Sequence, residues 1–248
     1  MARVFVGSGD ITENNVTIKG PQARHLRLVL RLQPGDTFRA VDETAREHTV
    51  RISHASTELV RGTVIESHEV DTEPRCRVTI LQAVVKGGNM ALVIQKCTEL
   101  GAAQIVPMLT ERVVVRLKEA KADTRCERWQ RIAFEAARQC GRTVVPEVGP
   151  PVPFRQALEL AGQRDMALIL AEHGPARALD QVIKPGLKVG SLALLVGPEG
   201  GFSAQELELA LQAGLLAVSL GPRILRTETA AIAATAICFY ALGEMGKP

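Results

Sequence analysis

The sequence predicts an α/β protein, with a small β-rich N-terminal part followed by a mostly parallel sheet covered by helices on both faces. Three observations predict it. Up to about residue 70, short apolar runs alternate with turn residues, the pattern of a small barrel. From Cys76 onward, continuous apolar runs of strand length alternate with helical patterns, the pattern of a parallel sheet buried on both sides. Between the two, Ser67 to Pro74 is polar and ends in proline, which reads as a linker. Domains are therefore expected at 1–70 and 71–248.

In the first part, Val4 and Val6 frame a short strand. Pro21 to Leu32 reads as a helix, with Leu26, Val29 and Leu30 on one face and Arg24, Arg27 and Arg31 on another. Asp36 to Asp42 follows the turn signal Pro34-Gly35, and Thr49 to Ser53 and Leu59 to Glu66 are further strands. In the second part, Val78 to Val85 and Gln104 to Leu109 are apolar strands around a helix, Ala91 to Leu100, that Gly101 closes. Trp129, Ile132, Ala133, Ala136, Ala137 and Cys140 repeat at helical spacing and stop at Gly141. Phe154, Ala157, Leu158 and Ala161 mark the next helix. Met166 to Ala171, Ser191 to Val196 and Leu216 to Leu220 are three more buried strands. Ser203 and Glu206 form a capping box for a helix ending at Gly214, and Glu228 to Leu242 is the last helix.

Composition narrows the function classes. Hydrophobic residues make up 46% of the 248, enough for a packed core, but aromatics only 3%, so that core rests on aliphatic side chains. The formal charge of +3 does not by itself argue for nucleic acid. Five cysteines with no C-x-x-C spacing read as reduced, buried thiols, without a disulfide framework or metal. Met1-Ala2-Arg3-Val4-Phe5 lacks the apolar core of a secretory signal, and Ala230 to Leu242 is too short to cross a bilayer. A cytoplasmic protein without a membrane partner is expected.

Common nucleotide, metal and hydrolase signatures are missing. Gly7-Ser8-Gly9 lacks the third glycine of a dinucleotide loop, and no Walker loop, H-E-x-x-H or G-x-S-x-G occurs. Two glycine-bearing loops remain, each following a predicted strand. They are Gly197-Pro198-Glu199-Gly200-Gly201 and Leu220-Gly221-Pro222-Arg223-Ile224-Leu225-Arg226-Thr227-Glu228-Thr229-Ala230. Strand ends of open α/β sheets are where ligands bind, and glycines let a flat ligand approach the backbone. The plainer account makes the first loop a tight turn before the Ser203 cap, and Glu228 a carboxylate balancing the helix dipole. Ile224 and Leu225 are expected to anchor their segment against the core.

The residues resemble the SPOUT RNA methyltransferases, and within them the ribosomal RNA small-subunit methyltransferase E group. The similarity runs through Arg24-His25-Leu26 and Val29-Leu30-Arg31, then Gln95 to Gly101, Pro107 and Thr110-Glu111-Arg112. It continues through Arg128-Trp129, Glu135-Ala136-Ala137, Gln139 and Arg142 to the two glycine loops. The resemblance implies a PUA-like N-terminal barrel and a C-terminal domain with a deep trefoil knot. It implies a homodimer with S-adenosyl-L-methionine sites at its interface, and N3-methylation of one uridine in 16S rRNA of the small ribosomal subunit. It extends the donor site to Leu170 and Glu172, beside Gly197 to Gly201 and Leu220 to Ala230. Methylation of a ribose 2′-hydroxyl and a non-catalytic ribosome-assembly role stay open as alternatives.

On that reading the uracil N3 must lose its proton, and a guanidinium suits the charge that spreads onto the ring oxygens. Arg226 is the candidate for that task. Glu199 is the candidate proton acceptor or donor-orienting carboxylate, unless it only bonds N–H groups in its own turn. For RNA phosphates the candidates are Arg24, Arg27, Arg31, Arg112 and Arg142, and 111–142 holds nine Lys or Arg against five Asp or Glu.

Overall fold

The computed structural model describes residues 2–7, 9–86, 88–113 and 122–246. Ser8 of the Gly7-Ser8-Gly9 run, Gly87, and Arg116, Lys118 and Lys121 of the basic stretch lie outside the described residues. The chain forms two compact units, one of residues 1–73 with 137–144 and one of 74–136 with 145–248.

The first unit contains strands β1 (Arg3–Phe5), β2 (Ile11–Thr12) and β3 (Asn15–Lys19), helix α1 (Gly20–Arg24), and strands β4 (Thr37–Val41), β5 (Arg46–Ala55) and β6 (Leu59–Glu69). The six strands make one sheet in the order β1-β4-β5-β6-β3-β2, antiparallel except for β1 beside β4. It curls around Val4, Val16, Ile18, Leu26, Phe38, Val50 and Val60. Two register shifts in β5, at Thr49/Val50 and Ile52/His54, supply the bend. The inner face is so tight that a methyl group on Gly62 would sit 2.5 Å from Val50 Cγ1 and 2.6 Å from the Arg51 carbonyl oxygen. Gly62→Ala is expected to destabilise the protein by about 1–3 kcal/mol. A urea midpoint equal to wild type would show that β5 and β6 do not approach this closely.

One sequence expectation fails here for a physical reason, and a second is refined. The helix expected over 21–32 is only one turn of α-helix. His25–Val29 is π-helical, with Leu30 N–H donating to His25 O at 3.1 Å. The wider turn shifts the phase of the residues after it, so Leu26 is buried while Val29 and Leu30 are exposed. The first unit gives way to the second at 73/74, inside the expected linker, but most of that stretch is ordered in the first unit. Strand β6 runs to Glu69, and Thr143 N–H donates to Thr72 Oγ1 at 3.2 Å. Arg142 Nε donates to both Glu73 carboxylate oxygens, at 3.1 and 3.2 Å.

The second unit begins with β7 (Arg77–Ala83), α2 (Asn89–Leu100) and β8 (Gln104–Leu109). Helix α3 (Ala122–Cys140) ends within the first unit's 137–144 stretch. There follow β9 (Glu147–Val148), β10 (Val152–Pro153), α4 (Phe154–Gly162), β11 (Met166–Leu170), β12 (Arg177–Ala178), α5 (Leu179–Val182), β13 (Ser191–Val196), α6 (Ala204–Gln212), β14 (Leu216–Ser219) and α7 (Thr227–Ala241). All strand pairs are parallel, in the order β10-β8-β7-β13-β11-β14-β12, with β9 beside β8. Strand β13 shows why the runs are continuously apolar. Leu192, Leu194 and Val196 enter the core under α2 and α7, while Ala193 and Leu195 enter the core on the other face.

Helix ends follow local chemistry. Gly101 closes α2 at φ 110°, where a side chain would be strained. Ser203 caps α6 with both halves of the capping box formed. Among the thiols, burial pushes Cys97 and Cys238 up to about 12 and Cys76 up to about 11. Cys140, expected to be buried, is exposed.

Candidate functional site

The C-terminal ends of β13, β11 and β14 open onto one cavity of about 970 Å³. The two glycine loops follow β13 and β14, which are not neighbours in the sheet. Strand β11 lies between β13 and β14 and ends at Leu170, so its exit supplies the middle of the cavity wall through Leu170 and Glu172. All five residues of 197–201 line it, as do Leu220, Gly221 and Arg223 to Arg226. Glu228 and Ala230 continue the wall into α7, whereas Thr229 is exposed and does not line the cavity.

Each loop is held by identifiable bonds. The 197–201 turn closes itself, with Gly201 N–H donating to Pro198 O at 2.9 Å. The Glu199 side chain reaches out of that turn. Its Oε1 accepts from Lys86 N–H at 3.4 Å, across the exit of β7. Arg112 Nη1 donates to Gly200 O at 2.8 Å, so this RNA candidate also braces the loop. The glycine at 197 is closely packed, because a Cβ there would meet the Phe202 ring at 3.2 Å and the ring would have to shift. Nothing lies within 4 Å of a Cβ on Gly201 or Gly221, and both have positive φ. The cavity thus approaches bare backbone on two sides.

The sequence does not show how three residues, Gln82, Thr227 and Glu206, join these parts. Thr227 Oγ1 donates to Gly197 O at 2.6 Å and accepts from Gln82 Nε2 at 3.0 Å. Gln82 Nε2 also donates to Ala83 O at 3.0 Å. A buried chain of bonds therefore runs from β7 through the start of α7 to the loop after β13. Glu206 does the same on the other side. Besides completing the cap, its Oε1 accepts from Glu111 N–H at 2.8 Å, fixing the turn that carries Arg112. The capping pattern signalled Glu206 as a helix start, but nothing local signalled its second bond or the Thr227 and Gln82 pairing.

Charge is distributed unevenly. Arg226 is the N-cap of α7 but makes no side-chain cap, and its guanidinium is exposed at the cavity wall with Arg223. Glu228 is buried, and its Oε2 has no protein partner. Glu228 also lines the cavity, and a buried acceptor without a donor in the protein calls for one from elsewhere. Two expectations are corrected. Ile224 is 73% exposed, so it does not anchor the loop, and only half-buried Leu225 turns inward. Arg142 is 4% exposed and paired with Glu73, so it is not presented to RNA. Its charge is neutralised within the first unit by a carboxylate 69 positions away. Arg24 and Arg31 are exposed and Arg27 is half-buried.

The sequence profile of the RNA methyltransferase domain family matches 72–238, and that of the RNA methyltransferase PUA domain matches 18–65. The chain is 37% identical to ribosomal RNA small subunit methyltransferase E of Synechocystis, over 94% of this chain and 76% of that one. Among solved structures, it is similar to ribosomal RNA small subunit methyltransferase E of Neisseria gonorrhoeae bound to S-adenosyl methionine. That similarity has a TM-score of 0.87 and 33% identity over 97% of both chains. A methyltransferase of Legionella pneumophila with bound SAM gives a TM-score of 0.87 and 32% identity, covering 96% of this chain and 97% of that one.

Proposed function

The chain belongs to the RNA methyltransferase family, in the ribosomal RNA small subunit methyltransferase E group. On that premise we propose that it methylates N3 of one uridine in 16S rRNA of the small ribosomal subunit, using S-adenosyl-L-methionine. The observation that carries this reading is the cavity where the two glycine loops meet around the end of β11. Its size falls in the range for ligand sites. Its chemistry fits the donor, since bare backbone at Gly201 and Gly221 suits a flat base. The unpartnered Glu228 oxygen suits the donor's ammonium or ribose hydroxyls.

Leu170, Glu172, the 197–201 loop, 220–228 and Ala230 hold the donor. S-adenosyl-L-methionine supplies, when bound, a methyl group on a sulfonium, open to in-line displacement. Arg226 sets its fixed positive charge beside the uracil carbonyl oxygens, where the N3 anion develops. Glu199, exposed at the rim, takes the N3 proton. Arg24, Arg27 and Arg31 of a PUA-like domain over about 1–70, together with Arg112, contact rRNA phosphates.

Two further parts belong to the same proposal. The chain acts as a cytoplasmic homodimer, supported by an apolar ridge on α7 where Ile237 and Tyr240 are 42% and 71% exposed. No described helix is long and apolar enough to cross a membrane. The second unit carries a trefoil knot, a reading that rests on the family it belongs to.

The test is incubation of small subunits from a strain lacking the modification with protein and S-adenosyl-L-methionine, followed by nucleoside mapping. N3-methyluridine is expected. A methyl group on a ribose 2′-oxygen would overturn the base assignment, and no donor binding by calorimetry would overturn catalysis altogether.

A further inference from the structure

The first unit carries an unpartnered feature that the methyl-transfer chemistry does not use. Leu28, Val29 and Leu30 are 55%, 65% and 37% exposed, three consecutive large apolar side chains in water. In a regular α-helix Leu26, Val29 and Leu30 would share one buried face. The π-turn prevents it. Leu30 N–H reaches back to His25 O, and Leu32 N–H reaches Leu26 O at 3.0 Å. One extra residue in a turn rotates the following side chains by roughly 100° away from the core. The turn is closed by Arg31 at φ 58°, a left-handed conformation that non-glycine residues rarely adopt. The backbone is thus held in an uncommon geometry whose outcome is to expose this apolar knuckle.

The charge around the knuckle indicates its partner. Arg24, Arg27 and Arg31 lie within the same segment, and residues 20–35 contain no Asp or Glu. An apolar surface meant for another protein copy would not need an unbalanced cationic frame of this kind. Nucleic acid offers both complements at once, phosphates for the arginines and base faces for the aliphatic side chains. Aliphatic side chains are the usual wedges between bases.

We propose that Leu28-Val29-Leu30 forms an apolar wedge that packs against unstacked bases of the substrate RNA while Arg24, Arg27 and Arg31 hold the flanking phosphates. This rests on the RNA-substrate reading above. It separates two kinds of contact with different salt behaviour. Phosphate contacts release counterions, with each one contributing about 0.7 to the salt slope on a single strand. Base packing releases none.

The experiment measures binding of small ribosomal subunits from a strain lacking the modification to full-length protein across a salt series. The Leu28→Ser/Val29→Ser variant is expected to bind about tenfold more weakly at every salt concentration, with an unchanged slope. The Arg24→Gln/Arg31→Gln variant is expected to lose about 1–2 units of slope. Thermal unfolding of each variant checks that these surface changes leave the fold intact. Binding by the serine variant within twofold of wild type overturns the wedge. So does a change in its sedimentation with RNA affinity unaltered, which would assign the knuckle to a second copy of the chain. If wild type neither binds nor methylates those subunits, the substrate reading falls and the wedge with it.

Discussion

Replacing Arg226 by alanine is expected to lower turnover by about 10²–10³-fold while S-adenosyl-L-methionine affinity changes much less. The size follows from the role. Removing one preorganised group that stabilises developing charge costs about 2.7–4 kcal/mol in the transition state. The selectivity follows from the geometry. The Arg226 side chain does not cap α7, and its backbone oxygen still accepts from Ala230 N–H at 2.8 Å after truncation. The helix start and the wall it forms therefore survive the substitution. Lysine keeps the charge but not the planar fork, so Arg226→Lys is expected to recover only part of the rate. Turnover by the alanine variant should also rise with pH more than that of wild type, because bulk base then makes the anion that the guanidinium no longer favours. Single-turnover rates at saturating donor, measured beside calorimetry, separate these effects. Undiminished turnover would remove Arg226 from the chemistry.

How much of this site the sequence could disclose depends on the range of the interactions. Strand β13 was legible because both of its faces are buried, which leaves an uninterrupted apolar run. The Ser203 cap and the glycine stops at 101 and 141 were legible because their partners lie within one helical turn. The order of strands was not legible. That β11 sits between the two loop-bearing strands is decided by pairing across 166–219, and no local pattern reports it. Arg142 was misread for the same reason, since its carboxylate partner lies at Glu73. The helix over 21–32 failed differently. Its apolar spacing suits an α-helix, and the π-turn at His25–Val29 overrides that spacing through backbone bonds that side-chain periodicity does not encode.

Thr227→Val is expected to weaken S-adenosyl-L-methionine binding by about tenfold, as part of a total cost of about 2–6 kcal/mol shared with stability. Valine keeps the shape of threonine and removes only the hydroxyl. That hydroxyl is both donor and acceptor, and it is 5% exposed as part of a buried residue. Without it the Gly197 carbonyl loses its 2.6 Å bond, and the Gln82 amide keeps only Ala83 O. A buried polar group left without its partner costs about 1–3 kcal/mol, and two are affected here. The loop beginning at Gly197 is then free to leave the position that α7 imposes on it. Serine restores the hydroxyl, so Thr227→Ser should recover most of the donor affinity, which a loss of packing alone would not allow. A double-mutant cycle with Gln82→Leu should show coupling of about 0.5–3 kcal/mol, as expected for residues in one network. Donor affinity and urea midpoint for the valine variant both equal to wild type would mean that the two loops are held together by something other than this chain of bonds.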